Sequence, residues 1–181
     1  VSLEIIPVWN QMTPELEAEL AEFWIKNGAM LDANKATERA KQVVCLVRSE
    51  QGAIAGVSTA YPRIVPLLRQ PMYYYRNFIA EEFRGRHLSI PFLRKSKAVL
   101  QEYSLALPQP LCIGVIIEMA NKRLEAHYDQ AYWHQTGFTF MGYSKDGLQL
   151  RVSYFDGVRL YPPAPLKKVA AKKKPARAAS S

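Results

Sequence analysis

The run CIGVIIEM, Cys112 to Met119, is apolar except for Glu118. It has neither the alternation of a half-exposed strand nor the spacing of a helix, and such a run belongs to a strand in a sheet interior. What precedes it narrows the fold further. MYYYRNFIA, residues 72–80, reads as a long aromatic strand. Ser89-Ile90-Pro91 then predicts a helix reaching about Leu105, with Ser89 as its cap, Pro91 in its first turn and LPQP as its end. A strand, a helix and an interior strand in succession call for a mixed α/β architecture.

The rest of the chain is read from that centre outward. SLEIIPVW is a first strand. Thr13-Pro14-Glu15 is a helix start, Leu16, Leu20, Phe23 and Trp24 recur at helical spacing, and Gly28 supplies the stop. A second, more polar helix is predicted from Ala33 to Gln42. Val43 to Arg48 and Ala53 to Tyr61 form a hairpin around Glu50-Gln51-Gly52. IVPLLRQP is apolar, but Pro62, Pro66 and Pro71 break the region, so it reads as an exposed or partner-lining loop. After the interior strand, Lys122 to Thr136 is predicted as a helix, with Leu124, Tyr128 and Tyr132 four residues apart and Gly137 closing it. FTFMGY and LQLRVSYF are two last strands around the turn Ser144-Lys145-Asp146-Gly147. The resulting order is βααββ, βα, βα, ββ.

Charge narrows the function classes. The net charge is +8, yet Lys167, Lys168, Lys172, Lys173, Lys174 and Arg177 carry six of those excess charges in a terminal stretch without acids. The body is therefore no basic nucleic-acid platform. A folded domain over residues 1–160 and a disordered tail over 161–181 are expected, the tail open only to weak, salt-sensitive contact with polyanions. No apolar run approaches the roughly 18 residues that cross a bilayer. The start lacks a secretory pattern, so the expected location is the cytoplasm, with no membrane partner. Cys45 and Cys112 lie in apolar runs without neighbouring metal ligands, and are expected to be buried reduced thiols with no metal site.

With this order, the chain resembles the GCN5-related N-acetyltransferase (GNAT) superfamily over residues 1 to about 157, nearly everything before the tail. Gly137-Phe138 is similar to the family's aromatic-x-x-x-Gly-Phe ending. The resemblance implies a central, mostly antiparallel twisted sheet of about seven strands, helices on both faces, and a splay between the fourth and fifth strands. It implies acetyl-CoA or another acyl-CoA in that splay, and transfer of the acyl group to a small-molecule or peptide amine. The family's phosphate loop, Arg/Gln-x-x-Gly-x-Gly/Ala, corresponds to Arg84, Gly85, Arg86, His87, Leu88 and Ser89. A loop that opens a helix offers unpaired N–H groups and the positive end of a macrodipole to a pyrophosphate. His87 and Ser89 stand where the family has small residues, and a positive φ at His87 would be costly.

By the same resemblance, the backbone of Phe78, Ile79 and Ala80 should pair with the pantetheine amides. The family's proton-donating tyrosine is replaced by Trp133, which makes the adjacent Tyr132 the candidate acid, with Tyr128 one turn back as the alternative. Glu118, ending GVIIE, is the candidate base, with its pKa expected to be raised by partial burial. Glu81 and Glu82 are the lesser base candidates, and His127 and His134 are read as surface or cap residues. Two other readings stay open: transfer of longer acyl chains, as in N-acyl amino acid or acyl-homoserine-lactone synthases, and a non-catalytic binding module on the same fold. The oligomeric state, a homodimer included, is open too.

Overall fold

In the computed structural model the described residues are 2–30, 32–121, 125–126 and 128–165, and they form one eight-stranded sheet. The elements run β1 (Leu3–Pro7), α1 (Pro14–Lys26), α2 (Ala33–Ala40), β2 (Val43–Ser49), β3 (Ile54–Val65), β4 (Gln70–Ile79), a single 3-10 turn (Glu81–Phe83), α3 (Ser89–Ala106), β5 (Gly114–Glu118), β6 (Tyr132–Trp133), β7 (Phe138–Tyr143) and β8 (Gln149–Tyr154). Across the sheet the order is β1-β2-β3-β4-β5-β8-β7-β6. Only β4 and β5 are paired parallel, and α3 makes the crossover between them. The expected mostly antiparallel sheet is therefore present, with eight strands instead of about seven.

Helices cover both faces. Leu20, Phe23 and Trp24 of α1 and Ala36 and Ala40 of α2 pack on Val43, Leu46, Ile54 and Val57. On the other face α3 lays Phe92, Leu93 and Leu100 against Val44, Val47, Tyr73, Tyr75 and Val115. Each large apolar side chain buried there contributes roughly 1.5–3 kcal/mol. The polar positions on the buried face of α3 are matched to the sheet. Ser96 meets Ser58 at 2.9 Å, and the Ser104 hydroxyl donates to the Cys112 carbonyl at 2.8 Å. Cys45 and Cys112 are free and buried, and burial pushes the Cys112 thiol up to about 12. Thr13 caps α1 by accepting from Leu16 N–H at 3.2 Å, with Pro14 in the first turn, as its sequence predicts.

Four expectations change. IVPLLRQP is no loop, because β3 continues to Val65 and β4 begins at Gln70, so only the tip turns. Pro62 fits because β2 ends at Val43, opposite Thr59, and leaves that side of β3 an edge that needs no donor. Pro71 uses only its carbonyl, which accepts from Ile113 N–H at 3.0 Å. The cap of α3 is Leu88, and Ser89 is the first helical residue.

The third change is the last helix. Only Glu125 and Ala126 are helical among the described residues there, since 122–124 and 127 lie outside them, His127 included. Tyr132 and Trp133 instead form a hairpin with β7, pairing Thr139 and Phe138 around the turn that holds Gly137 at φ +72°. The buried Arg151 explains why. Its guanidinium lies 4.2 Å from the Trp133 ring and donates to the carbonyls of Gln130 (2.6 Å) and Tyr128 (3.0 Å), tying an extended segment to β8. The fourth is the domain boundary at 160. Tyr161 exchanges hydrogen bonds with Gln70 at 2.8 and 2.9 Å, and Ala164 does so with Arg69 at 3.0 and 2.6 Å, so the body reaches at least Ala164. The tail cations, Lys167 onward, lie outside the described residues.

Candidate active site

β4 and β5 are in register at three positions only, Tyr73 with Val115, Tyr74 with Ile116 and Tyr75 with Ile117. β4 then continues through Arg76 to Ile79, paired only with β3, while β5 ends at Glu118 against Leu150 of β8. The two strands therefore part beside α3. Ala80 N–H goes to the Ala55 carbonyl at 2.9 Å. Backbone groups of an antiparallel ladder alternate in direction, so Phe78 and Ala80 turn theirs to β3, and Asn77 and Ile79 turn theirs to the gap. Of the three residues expected to present backbone there, Phe78 and Ala80 turn theirs to β3, and Ile79 faces the gap with its N–H, its carbonyl being taken by Arg84. Asn77 was missed, although the same alternation is implicit in any strand.

At the end of β4 the chain turns through Glu81–Phe83 and enters residues 84–88. Gly85 has φ +76° and His87 φ +54°, so His87 takes the left-handed backbone despite the cost expected for a residue with a Cβ. The first bond of α3 runs from Phe92 N–H to the Leu88 carbonyl at 3.0 Å. Among the described residues no acceptor meets the amides from Gly85 to Ile90, and Arg84 to His87 are exposed. A row of uncovered N–H groups at a helix N-terminus suits an anion. The Arg84 Nε donates to the Ile79 carbonyl at 3.0 Å, which holds this guanidinium at the mouth of the gap, and Arg86 lies over the Phe83 ring at 5.6 Å.

Glu118 stands half-buried on the β5 lip of the gap and accepts a short hydrogen bond from the Tyr74 hydroxyl. The expected rise in its pKa does not occur. Burial pushes the carboxyl up, but the Tyr74 and Ser144 hydroxyls and the charges of Arg63 and Lys145 outweigh burial and hold it below the usual range. Glu118 is therefore an ionised carboxylate at neutral pH. Tyr74 moves the other way, raised by burial and then by donating to Glu118. Glu81 and Glu82 are exposed on the 3-10 turn.

Tyr132 is not brought to this gap. It sits on the edge strand β6, with β7 and β8 between it and β5, is 46% exposed and packs edge-on against exposed His134. The helical spacing that suggested it belongs to a segment that does not stay helical. What the sequence reading missed is the set around Tyr74: Tyr61, Arg63, Arg76, Arg39 from α2 and Gln42 from the turn that follows it. They are far apart in sequence, and only the alternation of β3 and β4 would have put Tyr61, Arg63, Tyr74 and Arg76 on one face. No group of three or more His, Cys, Asp or Glu among the described residues could hold a metal ion, and no described helix is long and apolar enough to cross a membrane.

This architecture is the GNAT fold. A GNAT-family acetyltransferase from Streptococcus pneumoniae superposes with a TM-score of 0.57 at 14% identity, over 85% of this chain and 99% of that one. RimL, a ribosomal L7/L12 alpha-N-protein acetyltransferase whose structure holds coenzyme A, gives 0.56 at 15% identity, over 87% and 97%. A spermidine N-acetyltransferase chimera from Vibrio cholerae and hSSAT gives 0.52 at 12% identity, over 85% and 96%. No protein-family model and no curated protein matches the chain.

Proposed function

We propose that the protein is an acyl-CoA-dependent N-acyltransferase, with acetyl-CoA as donor and an amine as acceptor. The observation that carries this is the opening between β4 and β5 beside the uncapped amides of Gly85 to Ile90. The pyrophosphate would rest on those amides, with Arg84 and Arg86 adding charge. Ile79 and Asn77 would offer backbone groups to the pantetheine, which lays the thioester in the gap. RimL, with the same fold, contains coenzyme A, which supports this donor.

Glu118 fits the acceptor's nitrogen. As a carboxylate it attracts an ammonium and takes one proton from it. The neutral nitrogen then attacks the thioester carbon: a C–N bond forms, the C–S bond breaks, the nitrogen's second proton passes to the departing thiolate, and the first leaves Glu118 for solvent. Because the Glu118 pKa is lowered, most of the driving force for deprotonation comes from solution pH. Tyr74 is a positioning residue, holding Glu118 in one orientation.

Calorimetric titration with acetyl-CoA and with a long-chain acyl-CoA tests this reading. Saturable binding of acetyl-CoA, weakened at least tenfold by replacing Arg84 and Arg86 with Ala, is expected. Binding of neither donor rejects the transferase, and preference for the long chain transfers the activity to that donor.

A further inference from the structure

On the face of the sheet that bears α1 and α2, the guanidiniums of Arg63 and Arg76 lie against two tyrosines, Tyr61 and Tyr74, and Arg39 of α2 stands near Arg76. Arg63 lies 5.1 Å from the Tyr74 ring centre, and Arg76 lies 5.3 Å from that of Tyr61 and 5.8 Å from that of Tyr74. The two rings are 5.4 Å apart. Arg39 approaches from α2, where burial and then the like charge of Arg76 push its guanidinium down. Gathering three cations costs energy unless something negative compensates, and the rings offset only part of it. Among the described residues no carboxylate forms an ion pair with Arg39, Arg63 or Arg76. The one side-chain acceptor in use is Gln42, bonded to the Arg76 Nη2 at 3.1 Å, and the Arg76 Nε is buried without a partner. The nearest anion, Glu118, accepts from Tyr74 and offsets part of the Arg63 charge, which leaves Arg76 and Arg39, among the described residues, without a carboxylate of their own.

The register adds direction. Tyr74 faces Ile116, and two residues further along, where the strands have parted, Arg76 and Glu118 occupy corresponding positions on the two lips and share a face. One lip thus carries a carboxylate suited to an ammonium and the other a guanidinium suited to an anion. Neighbouring strands lie about 5 Å apart, and more once they diverge. A molecule with a few bonds between its nitrogen and its anion spans that distance. Planar guanidiniums with unspent N–H groups favour carboxylate or phosphate oxygens.

We infer that the acceptor is a small amine that carries a carboxylate or phosphate, with its nitrogen at Glu118 and its anion among Arg76, Arg63 and Arg39. This inference rests on the transferase reading and sets its substrate class. It runs opposite to the polycationic substrate named for the spermidine acetyltransferase of the same fold.

The test is thiol release from acetyl-CoA with L-glutamate, O-phosphoethanolamine, L-glutaminamide and spermidine as acceptors, alongside calorimetric titration of acetyl-CoA alone. At least tenfold higher kcat/KM is expected for L-glutamate or O-phosphoethanolamine than for the other two, and which leads separates carboxylate from phosphate. Arg76→Gln, and separately the exposed Arg63→Gln, should cut the preference for the anionic acceptor over L-glutaminamide about tenfold, through KM, with acetyl-CoA affinity unchanged. If acetyl-CoA binds but spermidine or L-glutaminamide is used as well as the anions, or both variants lower all acceptors alike, this inference falls and the transferase stands. If acetyl-CoA does not bind and no acceptor is modified, both fall together.

Discussion

The two edges of β5 have opposite fates. Toward β8 it is paired at every residue from Gly114 to Glu118, while toward β4 it is paired at three and then released. The arginines repeat the contrast. Arg151, on the closed side and 1% exposed, spends its donors on two backbone carbonyls and on Gln149 and stacks on Trp133. Arg39, Arg63 and Arg76, on the open side, keep most of theirs unspent. A buried cation with satisfied donors builds structure, because removing it orphans its partners. Cations with unspent donors beside a gap keep N–H groups that a ligand's oxygens can take.

Substitutions can break that contrast from either side. Gly114→Ala should do the most damage. Its Cβ would run into the Ser153 carbonyl and come within 2.9 Å of Tyr154 Cα and 2.8 Å of Met72 Cε, where backbone on β8 cannot give way. A loss of about 3 kcal/mol is expected in denaturant unfolding, at the upper end for overpacking. Arg151→Met comes next. It leaves the carbonyls of Tyr128 and Gln130 without their donor, and should lower stability by about 2–3 kcal/mol. A loss under about 0.5 kcal/mol would mean that the closed half does not depend on this clamp.

On the open side the effects should appear in activity. Glu118→Gln keeps an acceptor for Tyr74 but removes the charge, and kcat should fall roughly a hundredfold, the low end for general base catalysis. Tyr74→Phe removes a hydrogen bond that lowers the Glu118 pKa while burial still raises it, so the acid limb of the pH–rate profile should move upward. The same sign governs stability. A carboxyl whose folded pKa is depressed stabilises the protein above its unfolded value near 4.5, and that contribution is lost as pH falls through the folded pKa. Tyr74→Phe should therefore flatten the loss of stability on acidification, measured by urea unfolding at several pH values. The smallest effect belongs to His87→Gly. Relief of the left-handed backbone is offset by the greater freedom of the unfolded chain, so stability should change by less than about 1 kcal/mol while acetyl-CoA binds more tightly.

Legibility in the sequence tracked how local each determinant is. The β2–β3 hairpin, α1 with its Thr13 cap, the β4 tyrosine row and the interior strand β5 follow from capping, turn chemistry and hydrophobic period within about ten residues. The segment after Met119 misled because Leu124, Tyr128 and Tyr132 have helical spacing, whereas Trp133 is held by Phe138 across a hairpin and by Arg151 from another strand. Pro62 and Pro71 misled for a related reason, since a proline breaks a strand only where its missing donor would be needed. At the candidate site, Glu118 was singled out from its place at the end of an apolar run. Its ionisation was misjudged, because Tyr74 and Arg63 lie 44 and 55 residues away.

By itself, then, the sequence determined most of the elements, their order up to β5 and the carboxylate at the end of that strand, all properties of short stretches of chain. The tertiary structure alone decided that β4 and β5 part after three pairs, that a buried arginine ties the last segment into a hairpin, and that Arg63 and Arg76 share a face with Glu118. Those outcomes depend on which strands become neighbours. Pairing across the sheet sets charge against charge at distances that no local pattern encodes.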